Sequence, residues 1–149
     1  MKKRLIGTFV ATAALAPALI VGASGQAFAA GSTVTWKNKA TGKCLAYFNY
    51  KVRTTSACGG ASAKWTETKQ AGGTYTLKQQ LSGKCLDSNK QGAVYVQACN
   101  GGNYQKWHEI KDSAGWRLKN KATGLTLGVD SNGLAFAGPD GTIKRQRWS

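Results

Sequence analysis

Gly83-Lys84-Cys85-Leu86-Asp87 is the stretch from which the fold can be deduced, because similar stretches recur at a fixed distance on either side of it. The earlier copy is Gly42-Lys43-Cys44-Leu45 and the later copy is Gly124-Leu125-Thr126-Leu127, and the leading glycines are 41 residues apart each time. Each copy leads to a tryptophan, and these are Trp65, Trp107 and Trp148. A fixed period of this length predicts three structural repeats.

Short apolar runs alternate with turn signals throughout the repeats, which is the pattern of an all-β protein. After residue 30 no window has a sustained helical period, so we expect no substantial helix. The runs that we expect to form strands are Val34-Thr35-Trp36, Thr66–Lys69, Tyr75-Thr76-Leu77, Ala93–Ala98, His108–Lys111, Trp116-Arg117-Leu118 and Leu134-Ala135-Phe136.

Three such units, each with about four short strands, fit two architectures. Propeller blades have this length, but propellers typically contain four or more of them. A closed barrel with threefold pseudosymmetry accommodates three units, and it would place Trp65, Trp107 and Trp148 in equivalent buried positions. The sequence therefore favours the barrel, and we expect the three tryptophans to be structural.

Residues 1–30 have the composition of a secretory signal peptide. A basic start, Lys2-Lys3-Arg4, is followed by an apolar run, Leu5–Val21, and by the cleavage pattern Ala27-Phe28-Ala29. The alternative is an uncleaved membrane anchor, which the polar and helix-breaking residues within the run disfavour. We expect a secreted, extracellular domain at residues 31–149, with repeats at about 33–71, 74–112 and 115–149, and no membrane insertion after cleavage.

The chain is strongly basic, with 21 Lys and Arg against 6 Asp and Glu and a formal net charge of +15. Loss of Lys2, Lys3 and Arg4 with the signal would leave 18 basic and 6 acidic residues, or +12. A positive field attracts anionic partners, such as an anionic cell-surface polymer. The lysines are scattered through all three repeats, which favours a solvated surface over a dedicated polyanion site. Specific nucleic-acid binding is not expected.

The four cysteines allow three pairings. Cys44 precedes Cys58 by 14 residues and Cys85 precedes Cys99 by 14 residues, so the repeated spacing favours one disulfide within each of the first two repeats. Each disulfide would close a loop of about 15 residues and stabilise the fold by roughly 3 kcal/mol in the chain-entropy model. A zinc site is the alternative, but there is no C-x-x-C pair and His108 is the single histidine. No cofactor is expected.

Three repeats that end in or near Gln-x-Trp, two of them with a Cys-Leu start, resemble the ricin B-type lectin family. The motif is complete at Gln105-Lys106-Trp107 and Gln146-Arg147-Trp148, whereas the first repeat has Ala63-Lys64-Trp65. The resemblance extends over Val34–Ser149 and implies a β-trefoil. Because the sequence ends one residue after Trp148, we expect a stand-alone, secreted bacterial member without a catalytic domain.

In this family an Asp follows Cys-Leu, a Gln lies four residues before the second Cys, an aromatic lies two residues before it, and an Asn precedes Gln-x-Trp. The chemistry is that of a sugar site, because carboxylates accept hydroxyl hydrogen bonds and an aromatic ring covers the apolar face of the sugar. The resemblance implies one candidate site, in the second repeat, although Tyr95 stands at the Gln position and Gln97 at the aromatic position. Its residues are Asp87, Tyr95, Gln97, Asn103, Tyr104 and Gln105.

The first and third repeats depart further from the family pattern. Ala46 and Gly128 stand where the second repeat has Asp87, so neither repeat offers the carboxylate. The third repeat also has Phe136 at the Gln position and Thr126 in place of the first cysteine. The resemblance therefore implies sugar binding in the second repeat alone.

An aromatic and basic stretch after Cys44 is a second candidate surface, because exposed aromatics beside cations are enriched at interfaces. Its residues are Tyr47, Phe48, Tyr50, Lys51 and Arg53. The alternative is a loop whose rings pack on one another.

Three classes of function remain to be weighed. The first is a non-catalytic lectin or carbohydrate-binding module whose partner is a glycan or an anionic cell-surface polymer. The second is an adaptor in an extracellular bacterial assembly, built on a trefoil with degenerate sugar sites, whose partner is a secreted protein. An enzyme is disfavoured because the sequence presents no recognisable nucleophile–base pair, carboxylate pair or metal cluster.

Overall fold

A computed structural model of the protein describes residues 30–149, so nearly all of the expected signal peptide lies outside the described residues. This part of the chain is built from β-strands joined by short turns. There are also three single-turn 3-10 helices, and each ends two residues before a motif tryptophan. They are Ala61–Ala63, Asn103–Gln105 and Lys144–Gln146. The strands are β1 (Ser32–Val34), β2 (Cys44–Phe48), β3 (Lys51–Thr55), β4 (Trp65–Gln70), β5 (Thr74–Gln79), β6 (Cys85–Ser88), β7 (Val94–Gln97), β8 (Trp107–Asp112), β9 (Gly115–Asn120), β10 (Thr126–Val129) and β11 (Ala135–Gly138).

The strands pair antiparallel. One sheet follows the order β1-β4-β5-β8-β9-β10-β11, and the hairpin of β6 and β7 branches from β5. The hairpin of β2 and β3 forms a separate sheet. Isolated bridges join the three hairpins, from Arg53 to Leu134 and from Ala93 to Phe136. This is the β-trefoil arrangement that the repeats predicted.

The repeats are equivalent in their turns. Gly42, Gly83 and Gly124 have φ of +66°, +67° and +71°, a left-handed conformation that glycine adopts without strain. The amide of each glycine donates to the carbonyl four residues earlier, over 2.8 Å in all three repeats. The 41-residue period therefore reproduces the same backbone turn three times.

The three motif tryptophans form the centre of the core, as predicted, and each is fully buried. Their indole Nε1 atoms donate to the carbonyls of Leu45, Leu86 and Leu127 at 2.9, 3.1 and 3.1 Å. A buried tryptophan contributes a large apolar surface, and its N–H usually finds an acceptor. The leucine after each Cys or Thr provides that acceptor, which explains why the two motifs occur together.

Both predicted disulfides are present, Cys44–Cys58 and Cys85–Cys99. The cysteines of the second bridge frame the β6–β7 hairpin and the loop that follows it, where the candidate sugar site lies. Within residues 30–149, no helix is long and apolar enough to span a bilayer.

Four of the expected strands are longer than predicted, and the other three lose residues at one or both ends. The first strand ends at Val34, before Trp36, whose neighbour Lys37 instead pairs with Cys44 in an isolated bridge. The strand expected at Ala93–Ala98 is shorter, at Val94–Gln97. The strand expected from Leu134 begins at Ala135, because the Leu134 carbonyl closes the preceding turn by accepting from the amide of Asp130.

Candidate functional site

The β6–β7 hairpin places Asp87 directly opposite Tyr95. Asp87 is 3% exposed, and it lines a shallow pocket of about 180 Å³ together with Tyr95. Burial, the negative charge of Asp87 and a hydrogen bond to its carboxylate raise the pKa of the Tyr95 hydroxyl. Tyr95 therefore keeps its proton and can donate to Asp87.

Gln105 fixes the carboxylate of Asp87 by donating a hydrogen bond to it. Its Nε2 donates to Asp87 Oδ2 at 2.9 Å and to the Ala98 carbonyl at 3.0 Å, and its Oε1 accepts from the Asn100 amide at 2.9 Å. Gln105 is 1% exposed and does not line the pocket. In this structure Gln105 holds Asp87 and the loop after Cys99.

Two asparagines that the sequence analysis did not select also line the pocket. Asn89 Oδ1 accepts from the amides of Gln91 and Ala93 at 3.1 and 3.0 Å, which fixes the turn between β6 and β7. Asn100 Oδ1 accepts from the Gly102 amide at 2.8 Å. In both cases the acceptor is used within the turn, so the side-chain amide N–H groups are the atoms that a ligand can reach.

Tyr104 and Gln97 complete the wall, so both predicted positions lie at the site. Tyr104 is 39% exposed, and its carbonyl accepts from Asn120 Nδ2 at 2.8 Å, which ties the 3-10 helix to the next repeat. Tyr104 thus presents an accessible ring on a fixed backbone. Asn103 is exposed and lies outside the pocket lining, so the structure does not bring it to the other predicted residues.

The corresponding position of the third repeat is filled by a ring. Gly128 faces Phe136 across the β10–β11 hairpin, as Asp87 faces Tyr95. A Cβ atom on Gly128 would lie 2.9 Å from Phe136 Cζ and 2.8 Å from Gln146 Cγ. No carboxylate can occupy this place while the phenylalanine ring remains there.

The first repeat is closed in another way. Ala46, at the Asp position, and Ala63, at the Gln position, are both fully buried and pack with the Cys44–Cys58 disulfide and Phe48. An apolar contact thus replaces the polar pair of the second repeat. This agrees with the expectation that the first and third repeats lack a sugar site of the family type.

The second candidate surface divides into two parts. Tyr47, Phe48 and Tyr50 line one groove of about 390 Å³ together with Leu81, and Arg53 lies over the Phe48 ring at 5.1 Å from its centroid. Lys51 instead lines a different groove, with Tyr50 and Val94 among its neighbours. Tyr50 is 95% exposed because Asn49 and Tyr50 form a tight turn with φ of +50° and +60°.

Comparison with solved structures supports the fold assignment. A designed threefold-symmetric protein, ThreeFoil, matches with a TM-score of 0.72 at 25% identity, over 78% of this chain and 95% of that one. The GlcNAc[alpha]1-4Gal releasing endo-[beta]-galactosidase from Clostridium perfringens matches with a TM-score of 0.70 at 21% identity, over 78% of this chain. Polyporus squamosus lectin, bound to the human-type influenza-binding epitope Neu5Aca2-6Galb1-4GlcNAc, matches with a TM-score of 0.71 at 19% identity, over 82% of this chain.

The chain spans only part of the two natural proteins, 31% of the enzyme and 49% of the lectin. At these identities the structural matches establish the fold alone. A comparison of the sequence with curated proteins finds no match.

The family assignment rests on the sequence itself. The family described as ricin-type beta-trefoil lectin domain-like matches residues 24–95 and 61–139, which together span most of the chain. The repeated Gln-x-Trp elements, the buried tryptophans and the trefoil topology agree with this match. The chain therefore belongs to the ricin-type β-trefoil lectin family.

Proposed function

We propose that the protein is a secreted, non-catalytic carbohydrate-binding module whose sugar site is the pocket of the second repeat. The observation that carries the proposal is the Asp87 carboxylate, which Gln105 holds against a pocket with two tyrosines in its wall. A carboxylate accepts hydrogen bonds from sugar hydroxyls, and a tyrosine ring covers the apolar face of a sugar. Secretion is supported by the two disulfides, which persist in oxidising compartments.

The lining favours an uncharged sugar. Within the described chain, the pocket wall contains one carboxylate, two phenols and three side-chain amides, and no lysine or arginine. The hydroxyls of a neutral sugar can donate to Asp87 and accept from Asn89 and Asn100, whereas an anionic group would face the carboxylate without a counterion. We infer that the basic surface attracts anionic cell surfaces at long range, and that the pocket binds a neutral glycan there.

The test is glycan binding by the disulfide-bonded domain at low and at physiological salt. We expect salt-resistant binding to a neutral glycan that Asp87→Asn weakens by about 10- to 100-fold, because hydrogen bonds to a charged group contribute about 1.5–3 kcal/mol. Asp130→Asn is the matched control, since Asn preserves the Oδ1 acceptor that holds the turn at Asn132 and Leu134. Binding that Asp87→Asn leaves intact, or that disappears with salt, would refute the assignment of the site.

A second candidate function is protein binding through the first repeat, which the exposure of Tyr50 and Leu81, at 95% and 67%, favours. Large apolar side chains that line one groove are typical of an interaction surface. If this surface binds a secreted protein, Tyr50→Ser should lower recovery of that partner from the culture medium by more than half. Asp87→Asn should leave the recovery unchanged. Equal recovery with Tyr50→Ser would exclude this function for the groove.

A further inference from the structure

A second pocket, which shares no lining residue with the sugar site, contains two glutamates. Glu67 and Glu109 each lie two residues after a motif tryptophan, on β4 and β8. They line a cavity of about 290 Å³ with Trp36 and Trp116. This volume is near the lower end of small-molecule sites.

Neither glutamate has a counterion, although the described residues include 18 lysines and arginines. Asp112 and Asp140, by contrast, both pair with Arg117 and Arg147. Within residues 30–149 no salt bridge involves Glu67 or Glu109, and the Oε1 atom of each is buried without a conventional donor. Buried carboxylates are normally paired, so this pair is an exception that needs an explanation.

Part of the explanation is a shared proton. Burial, followed by a hydrogen bond with Glu67 and its charge, raises the pKa of Glu109 to about 8. At pH 7 Glu109 therefore largely keeps its proton, and a cation in the pocket would take the place of this proton between the two carboxyl groups.

The tryptophans supply two further features. Trp36 is 6% exposed, and its Nε1 is a buried donor without an acceptor in the described chain. The rings of Trp36 and Trp116 meet edge to face, with centroids 6.4 Å apart. Lys111 Nζ lies 5.5 Å from the Trp116 centroid, so this ring already accepts a cation, yet Lys111 forms no ion pair with either glutamate.

We propose that this pocket binds a small organic cation that carries a protonated primary amine next to a hydroxyl, as an amino sugar does. The ammonium group would donate to Glu67 and Glu109 and lie against the indole rings, which favour cations at their faces. The hydroxyl oxygen would accept from Trp36 Nε1. The ligand thereby gives the orphaned donor an acceptor and the two glutamates a cation, and it does so independently of Asp87 and the second-repeat site.

The experiment is a titration of the ¹⁵N-tryptophan-labelled domain at pH 7 with glucosamine, glucose and N-acetylglucosamine. We expect glucosamine to shift the indole N–H signals of Trp36 and Trp116 saturably. Glucose lacks the ammonium group and N-acetylglucosamine has a neutral amide, so both should leave these signals in place. The buried Trp65, Trp107 and Trp148 signals report whether the fold is intact.

Two single variants locate the binding. Glu67→Gln and Glu109→Gln keep the shape of the side chain, and each should weaken glucosamine binding by about tenfold or more, because each removes one of the two carboxyl groups between which the ammonium group would lie. Asp87→Asn should not change the shift, which separates this site from the proposed sugar site. Equal shifts with glucose, no shift with glucosamine, or a shift that survives both glutamate variants would overturn the proposal.

Discussion

The second and third repeats have the same scaffold but different sites. Gln146 repeats the bonds of Gln105: its Nε2 donates to the Pro139 carbonyl at 2.9 Å, and its Oε1 accepts from the Gly141 amide at 2.9 Å. The facing pairs of the two hairpins also correspond. In one repeat the pair is a carboxylate and a phenol, and in the other it is a glycine and a phenyl ring.

This comparison separates what the fold requires from what binding requires. The glutamine of the Gln-x-Trp motif has the same structural role in both repeats, because it satisfies buried backbone groups whether or not a carboxylate is present. The carboxylate is dispensable for folding, since Phe136 fills its place in the third repeat. A repeat can therefore lack this carboxylate, through two differences across one hairpin, while it keeps its contribution to the core.

The largest expected effect tests whether the two repeats contribute equally to the stability of the core. Trp107→Ala and Trp148→Ala should each lower the free energy of unfolding by about 3–5 kcal/mol, because each removes a fully buried side chain and leaves a leucine carbonyl unsatisfied. Denaturant unfolding of the disulfide-bonded domain measures both values. A difference between them much above about 1 kcal/mol would contradict the equivalence.

A second prediction asks whether the site can be restored in the third repeat. Gly128→Asp should lower the free energy of unfolding by about 1–3 kcal/mol and add no glycan binding, because its Cβ would overlap Phe136 and Gln146. Combining Gly128→Asp with Phe136→Ala should recover part of this stability, because the ring is the obstacle. If the single variant is as stable as the parent, the ring does not close the site.

A third prediction separates the positioning role of Gln105 from its structural role. Gln105→Ala and Gln146→Ala should each cost about 1–2 kcal/mol of stability, because each removes hydrogen bonds to buried backbone groups. Only Gln105→Ala should also weaken glycan binding, by about tenfold, because only Gln105 holds a carboxylate. Isothermal titration with the glycan identified for the parent protein measures this difference, and equal affinities in the two variants would rule out a positioning role.

The smallest effect concerns pH. It extends the comparison to the first two repeats, which each have a glutamate two residues after the motif tryptophan. The pKa of Glu109 is raised from 4.5 to about 8 in the folded state, so the folded protein binds more protons than the unfolded chain between these values. The free energy of unfolding should therefore fall as pH rises from 4.5 to 8, by about 1 kcal/mol after allowance for solvent screening of a partly exposed group. Glu109→Gln should remove most of this dependence of the unfolding free energy on pH, measured by denaturant unfolding at several pH values. An unchanged dependence would show that Glu109 is not its cause.

Much of the fold could be predicted because the repeat recurs in residue types whose physical roles are specific. A glycine at each turn, a tryptophan at each motif and equal cysteine spacings determine the trefoil and its disulfides. The strand ends at Trp36 and Leu134 could not be predicted, because they depend on the bridge of Lys37 to Cys44 and on the turn that the Leu134 carbonyl closes.

The candidate site was only partly predictable. Asp87 follows the family pattern and Tyr104 stands where that pattern has Asn, but Asn89 and Asn100 reach the pocket through turns whose course depends on local hydrogen bonds. Asn89, three residues before Gly92, and the Asn100-Gly101 pair are turn signals that could have directed attention to these positions. The facing of Gly128 and Phe136 could also have been deduced by aligning the hairpins of the second and third repeats.

The pairing of Lys37 with Ser149 has a consequence for the order of events in folding. The two residues exchange backbone hydrogen bonds of 2.8 and 2.9 Å across 112 positions of sequence, and Trp116 bonds in the same way with Trp148. β1 pairs with β4 within the first repeat, but the segment at Lys37 is fully paired only when the last residues are in place. Contacts this distant carry a large loop-closure cost and form slowly. The barrel therefore cannot close until the final residues are available, and their pairing with Lys37 and Trp116 completes it.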